Sequence, residues 1–438
     1  MNSEASEGIT EITVSGFKSI VTKQSIEVRP LTILAGANSS GKSSFVQPLL
    51  LLKQTLDATY DPGPLLLDGP NVKFTSGEQF ISRSGRNHDI DTFGLDVRIG
   101  LDARVATSFQ WRPEKGIEIL EVEWVDRGSK APGKLKLRPG MTHAEIESVL
   151  PIHFPGRFHH WEEGGPQWMV ARERCFLKLE ARLEGEFPVM SISAAGLLEG
   201  QIRRLIHVPG LRGNPYRTYG VTAVGSTFPG TFENYVASLI AQWQADSNRD
   251  KLRQLNRELE RLGLTWKVVA DPITHTQVEL RVGRLTHSRR GGAYDLVSVA
   301  DVGFGVSQTL PVVVALLVAE AGQVVYVEQP EIHLHPNAQR RMAGVLAEAA
   351  RRGVIVIAET HSSLLLQAVQ TLVAKGELAS DLVKLHWFVR NEADGSTEVR
   401  SANLDEEGAY GDWPTDFDDV ELNSAKEYLD AAEARSRA

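Results

Sequence analysis

Apolar and polar positions along the chain fall into successive patterns. Residues 10–17 (Thr-Glu-Ile-Thr-Val-Ser-Gly-Phe) and 25–28 alternate with a period of two, as strands with one buried face do. Leu31-Thr-Ile-Leu34 is instead a short apolar run that stops at glycine. Beyond Ser43 the spacing turns helical, with Phe45, Val46, Leu49, Leu50 and Leu56 on one broad face. Pro48 lies inside that helix and removes a donor, so a local bend is expected. From 66 to 200 the pattern predicts short strands, with turn signals at Asp68-Gly69-Pro70, Arg127-Gly128 and Pro132-Gly133. His153 to Trp168, aromatic and glycine-rich, reads as a long loop. Residues 232–262 read as helical, with a charged, solvated stretch from Asp250 to Arg261, and strands follow at 265–270 and 277–282.

The last third is the most regular. Ser307 is placed to cap a helix running to about Ala319. Val324-Val-Tyr-Val327 is a fully apolar strand, 337–351 a helix with Met342, Val345, Leu346 and Ala349 on one face, and Val354 to Ala358 a second buried strand. Continuous apolar strands alternating with helices predict an α/β fold whose parallel sheet is covered on both faces. There is no internal repeat. From Asn403 the chain is acidic and ends in a helix-like stretch, Asn423 to Ala434.

Composition narrows the class. With 438 residues, 42% of them hydrophobic, the chain can build its core without disulfides or metals. Cys175 is the only cysteine, which excludes a disulfide framework and a cysteine-based zinc site; it reads as a packed thiol in a reducing cytoplasm. A net charge of −9 argues against a globally basic nucleic-acid binder. The arginines at Arg203-Arg204, Arg212 with Arg217, and Arg289-Arg290 read as solvated surface. The longest apolar run, beginning at Leu310, falls short of the roughly 20 residues that cross a bilayer, and the N-terminus lacks a secretory pattern. A soluble cytoplasmic protein is expected.

Gly36-Ala-Asn38-Ser39-Ser40-Gly41-Lys42-Ser43 fits G-x-x-x-x-G-K-[ST] at every fixed position, between an apolar strand and an apolar helix. Its glycines let successive backbone N–H groups point at a phosphate, and the helix starting at Lys42 adds its positive end. Lys42 is then placed for the β and γ phosphates of ATP and the Ser43 hydroxyl for Mg²⁺. A second strand must supply an acid, and Val324-Val-Tyr-Val-Glu328 does, followed by Gln329-Pro330-Glu331. A further strand, Val354 to Ala358, leads through Glu359 and Thr360 to His361. Asp301-Val-Gly303-Phe-Gly305-Val-Ser307-Gln308 is a glycine-rich turn at a helix N-terminus, a ready anion site. It cannot easily reach the same phosphate within one polypeptide, but it can if two molecules pack head to tail. His333 and His335 beside Glu331 invite a metal reading, which lacks a second ligand cluster.

Together with Val14-Ser-Gly-Phe17-Lys18-Ser19 and Glu328-Gln-Pro-Glu-Ile-His-Leu-His-Pro336, these motifs resemble the bacterial ABC-type ATPases. The nearest group is that of RecF, the SMC proteins and the overcoming-lysogenization-defect family, and within it the stand-alone AAA family ATPases that carry Glu-Gln-Pro-Glu. The likeness is strong over 10–60 and 295–365, weaker around Leu211 to Arg217, and says little about 96–200. It implies an ATPase head with a mixed or parallel core sheet, an N-terminal antiparallel β region, and a β-rich plus helical insertion. The corresponding segments are 1–95, 96–200, 201–295, 296–391 and a C-terminal acidic tail, 392–438.

Carried over, the resemblance implies nucleotide contacts from Lys18, Gly36, Asn38, Ser39, Ser40, Gly41, Lys42, Ser43 and Ser44. It makes Ser43 and Glu328 the magnesium ligands, Gln79 or one of its neighbours the Q-loop residue near the metal, and His361 the sensor of the γ-phosphate. Gly303, Gly305 and Ser307 become the signature turn and Leu334 to Pro336 the D-loop across a dimer. Two departures stand out. Gly303 replaces the group's serine, leaving phosphate contact there to backbone N–H groups or Ser307. Gln329 replaces the glutamate that activates water; it can orient water but cannot take its proton, and Glu331 or His361 is left to assist. Slow hydrolysis and a long-lived ATP-bound dimer are expected.

The resemblance implies an ATP-dependent switch acting on DNA or on a protein effector such as a nuclease encoded nearby, in anti-phage defence or DNA repair. A nuclease within the same chain is disfavoured, because the one Asp-x-Asp after His361, Asp416-Phe-Asp418, lacks flanking apolar strands. A membrane-transporter motor is disfavoured by the large insertion and the form of the signature turn. Partner specificity is assigned to 96–290. Trp111, Trp124, Trp161 and Trp168 there can stack on bases, but such residues more often pack internally.

Overall fold

A computed structural model describes residues 8–84, 88–89, 91–128, 133–150, 167–182, 188–193, 195–246, 249–287, 295–411, 426–430 and 435. Its central sheet has six strands in the order Ile206–Val208, Val324–Glu328, Ile355–Thr360, Leu31–Gly36, Val383–Arg390, Thr397–Ala402. The first five are parallel and the last is antiparallel to its neighbour. Leu31–Gly36 and Ile355–Thr360 are buried at every position, which is why their sequences are continuous apolar runs rather than alternating ones.

Side-chain alternation divides these strands between two cores. Leu31, Ile33, Val325, Val327, Val356 and Ala358 face helices Phe304–Val318, Pro336–Arg351 and Ser363–Ala374. Leu34, Val324, Tyr326, Ile355 and Ile357 face helix Lys42–Asp57 and a second sheet. That second sheet is antiparallel, in the order Gln24–Glu27, Ile9–Ser15, Thr92–Ile99, Ala103–Arg112, Gly116–Asp126, Gly133–Leu137. A three-stranded sheet (Gln167–Glu173, Phe176–Arg182, Pro188–Ser193), a four-stranded one around Val268–Thr274 and Gln277–Gly283, and a two-stranded one of Arg83–Ser84 and His88–Asp89 complete the described β structure. The expected α/β class, with a parallel-rich core and an antiparallel N-terminal region, is the fold observed. No helix among the described residues is long and apolar enough to cross a membrane.

Several local expectations change. The boundary drawn at 95/96 falls inside strand Thr92–Ile99, which pairs with Ile9–Ser15, so the β-rich insertion grows out of the N-terminal sheet. The tail assigned from 392 begins with a strand of the central sheet, Thr397–Ala402. Its helix-like end lies mostly outside the described residues; the described part, 426–430, is helical and exposed. The helix expected over 232–262 is a 3₁₀ turn, Phe232–Tyr235, followed by two helices, Val236–Ala245 and Arg249–Arg261. The first of these helices ends at Ala245 with Asp246 as its C-cap, a residue type that favours caps over helix interiors. The helix assigned to a Ser307 cap starts earlier, at Phe304, with Gly303 as its N-cap.

Candidate nucleotide site

Strand Leu31–Gly36 delivers the glycine-rich loop onto helix Lys42–Asp57. Gly36 (φ 143°) and Gly41 (φ 101°) have backbones that side chains rarely adopt, and each is also enclosed. A Cβ would lie 2.4 Å from the Phe388 carbonyl at Gly36 and 2.3 Å from Thr397 Oγ1 at Gly41. The loop therefore curls only with glycine at both positions. Lys42 is buried, and its ammonium donates to the carbonyls of Gly36 (3.0 Å) and Ala37 (2.7 Å). Burial draws its pKa down, partly offset by the charges of Glu359 and Glu331. A buried cation held by uncharged oxygens, those two carbonyls and the Ser40 hydroxyl, suits an incoming anion.

Beside it opens a cleft of about 560 Å³. Of the expected contacts, Lys18, Asn38, Ser39, Ser40, Gly41, Lys42, Ser43, Ser44, Gln329 and His361 line it. Ser19, Glu359 and Arg390 line it too and were not anticipated. Lys18 donates to Gln47 Oε1 at 2.7 Å and lies over the Phe74 ring, and burial lowers its pKa. Among described non-glycine residues, positive φ occurs at Lys18, Ser39, Gln329, His333 and Arg174. Four of these five belong to the motifs of this site, and such strained backbone clusters where function demands it.

The acids divide by direction. Glu328 and Glu359 end neighbouring parallel strands directly opposite each other. Glu328 does not line the cleft. Its Oε2 accepts from the Gly210 N–H at 3.0 Å, and its Oε1 lies 3.2 Å from His207 Nε2. The His207 tautomer follows from the other ring nitrogen, which accepts from the Asn71 amide at 3.0 Å, so Nε2 donates. Burial pushes the Glu328 carboxyl up, but His207, Gly210 and Arg212 together hold it below the usual range. The expected direct magnesium contact from Glu328 is thus replaced by one to the wall at 207–210, because strand Val324–Glu328 is separated from the loop strand by the strand bearing Glu359.

Glu359 faces the loop. It accepts from Ser43 Oγ (2.9 Å) and, on its other oxygen, from the Tyr326 hydroxyl (2.9 Å). Burial and the charge of Glu328 raise its pKa. Glu331 is also buried, and burial raises its pKa. One oxygen accepts from Thr360 Oγ1 (2.7 Å) and the His361 N–H (3.0 Å), while the other has no partner. Glu331 lies off the cleft and staples the acid loop to His361, so the assisting role expected for it becomes one of positioning. Burial and Lys42 hold the His361 imidazole below its usual range, which keeps it neutral near pH 7. A neutral imidazole can donate to a phosphate oxygen without bringing a second cation beside Lys42.

The expected Q-loop residue Gln79 is not at the cleft. Its side chain is exposed and folds onto Thr75, donating to Oγ1 (2.7 Å) and accepting from the backbone N–H (2.8 Å), a local turn that uses up its amide. Arg212 is not solvated surface either. It is buried, donating to the carbonyls of Gln308 (3.0 Å) and Glu328 (2.7 Å), and burial pulls its pKa to about 10, still cationic at neutral pH. It joins the helix after the glycine turn to the end of the acid strand. Arg217 is exposed and pairs with Asp301 at 2.7 Å. Trp168 is buried and Trp111 packs on Gly77, as core-packing residues do; Trp161, Arg289, Arg290, Asp416 and Asp418 lie outside the described residues.

Gly303, Gly305 and Ser307 do not line the loop cleft. Gly303 is exposed in an ordinary extended conformation (φ −62°, ψ 157°), and a Cβ there would meet nothing within 4 Å. At Gly305 a Cβ would make only ordinary contacts, 3.4 Å to Leu264 and 3.6 Å to the His333 carbonyl. Ser307 Oγ donates to the Phe304 carbonyl at 3.2 Å. Phe304 is half exposed and its ring lies 5.6 Å from that of His333.

The family described as "AAA domain, putative AbiEii toxin, Type IV TA system" matches residues 221–367, about a third of the chain. That segment holds the glycine turn, both acid strands and His361, and the match supports a nucleotide-binding ATPase of the P-loop class. No curated protein sequence matches the chain. Among solved structures, the chain is similar to an SMC head bound to the C-winged helix domain of ScpA, at 11% identity and TM-score 0.45, over 91% of this chain and 98% of that one. It is also similar to the SMC head domain from Thermotoga maritima, at 9% identity and TM-score 0.38, over 90% and 98%. A third is the Pyrococcus furiosus SMC head with an extended coiled coil, bound to the C-terminal domain of ScpA, at 10% identity and TM-score 0.46, over 97% and 99%. Likeness at this level says nothing of activity or partners.

Proposed function

We propose that the protein is a slowly hydrolysing, magnesium-dependent ATPase that works as a nucleotide switch: ATP bound in the Lys42 cleft of one copy is closed over by the Gly303–Ser307 turn of a second. The observation that carries this reading is the separation of the two anion-suited elements. The loop cleft is assembled within one chain, while the glycine turn lies off that cleft with nothing of its own chain filling the space beside Gly303. At Gly305, inside the first turn of that helix, glycine costs about 0.5–1 kcal/mol relative to alanine, and neither packing nor φ within the chain requires it. Close approach by a phosphate from another molecule is a reason to keep it.

ATP itself suits the residues present. Lys42 and the loop N–H groups would hold its phosphates, and Ser43 with a neighbouring carboxylate would hold Mg²⁺, which takes one or two carboxylates and completes its shell with phosphate oxygens and water. When bound, the metal would neutralise charge developing on the phosphates. Gln329, lining the cleft, orients water without accepting its proton. The closed dimer then acts on DNA or on a protein effector such as a nuclease, in anti-phage defence or repair. Calorimetric titration with ATP and Mg²⁺, followed by a turnover assay, tests this. Binding with slow turnover is expected. No binding, or hydrolysis at about ten per second or faster by the isolated chain, overturns it.

A further inference from the structure

We infer that Glu359, rather than Glu328, is the carboxylate that meets the magnesium ion, and that Tyr326 holds it there. This rests on the ATP-binding reading above and assigns the acid within it. In a phosphate loop the serine hydroxyl ligates the metal directly, so the assisting carboxylate must stand beside that hydroxyl. Ser43 Oγ already donates to Glu359 Oε1 at 2.9 Å. The same hydroxyl can give its oxygen lone pair to the cation while keeping its proton on Glu359, so metal entry breaks no bond.

The opposite oxygen of Glu359 accepts from Tyr326 at 2.9 Å, and Tyr326 is completely buried. Its ring is stacked on His207, with centroids 5.5 Å apart, which fixes the hydroxyl. Glu328 is in the reverse situation. Its oxygens accept from Gly210 and His207 rather than from Ser43, and it does not line the cleft. Gln329 carries no charge. Of the side chains ending the two strands, Glu359 alone combines a negative charge, a place on the cleft wall and contact with Ser43.

The test is ATP affinity of the full chain, measured in saturating Mg²⁺ and in EDTA, for the wild type, Glu359→Gln, Glu328→Gln and Tyr326→Phe. The wild type should bind more tightly with Mg²⁺. Glu359→Gln should lose that gain while keeping its affinity in EDTA, which also reports a folded site. Glu328→Gln should keep the gain. Tyr326→Phe leaves every charge in place and should weaken Mn²⁺ binding, followed by its paramagnetic resonance in the presence of ATP, by about tenfold, as loss of an outer-shell partner does. A gain that persists in Glu359→Gln and vanishes in Glu328→Gln overturns the assignment, as does unchanged Mn²⁺ affinity in Tyr326→Phe should Glu359→Gln fail to fold. A wild type that binds ATP in neither condition would defeat the ATP reading itself, which keeps the two failures apart.

Discussion

The phosphate loop is closed in on itself, with its lysine buried, its glycines wedged against Phe388 and Thr397, and its serine tied to Glu359. The turn at Gly303–Ser307 is bare, with an exposed glycine, a half-exposed phenylalanine and open space where a Cβ would go. Both are glycine-rich entries to helices, yet one is finished by its own chain and the other is not. Glycine in the first answers an internal demand that geometry makes visible. In the second, Gly303 caps its helix but Gly305 answers no such demand, and an external partner is the simplest source of one.

Substitutions can break or sharpen that contrast. The largest effect is expected from Gln329→Glu, which restores a proton acceptor in the finished half: turnover should rise roughly 10²-fold or more, read in a phosphate-release assay. Lys42→Ala should weaken ATP binding by about 100-fold, since several charge-assisted hydrogen bonds go together, and should abolish any ATP-induced association. Gly303→Arg fills the open half. The structure accepts it, so the ATP affinity of the monomer should stay within about twofold while ATP-driven association weakens by about tenfold, roughly 1.4 kcal/mol. Were Gly303→Arg to unfold the protein, the turn would be an internal packing element and the contrast would fail.

A smaller effect belongs to Glu331, whose buried carboxyl has a raised pKa and one oxygen without a partner. Its folded form prefers the proton, so its contribution to stability is full below the ordinary value of 4.5 and is lost as pH rises through the raised folded value. Glu331→Gln should therefore melt higher than the wild type at pH 8, with the gap closing as pH falls toward 4.5. An equal gap at both values would mean that charge burial is not the cause. Least affected should be Arg390→Ala, at the cleft rim, with ATP binding weakened only a few-fold, as for an exposed ion pair.

The sequence showed the finished half more clearly than the network behind it, for physical reasons. A phosphate loop needs fixed residue types at fixed spacing along one strand, turn and helix, so Gly36 to Ser44 can be read locally. The directions of Glu328 and Glu359 depend on the register of two parallel strands and on which neighbour claims each carboxylate. His207, Gly210 and Tyr326 decide that from other parts of the chain. Arg390 reaches the cleft from a strand near the other end of the chain, and Arg212 looks like any surface arginine until the fold buries it. Gln79 erred the other way: spacing alone put it near the metal, while its amide satisfies its own turn. The break at Asp246 was visible as cap-favouring residues, but helical periodicity on both sides outweighed it.

Whether the bare turn exists to meet a second copy is tested most directly by the mass of the purified protein in solution, measured by light scattering with and without ATP and Mg²⁺. A monomer of 48.2 kDa is expected without nucleotide, and a doubling of mass with it. A monomer in both states, under conditions where ATP is shown to be bound, would contradict it.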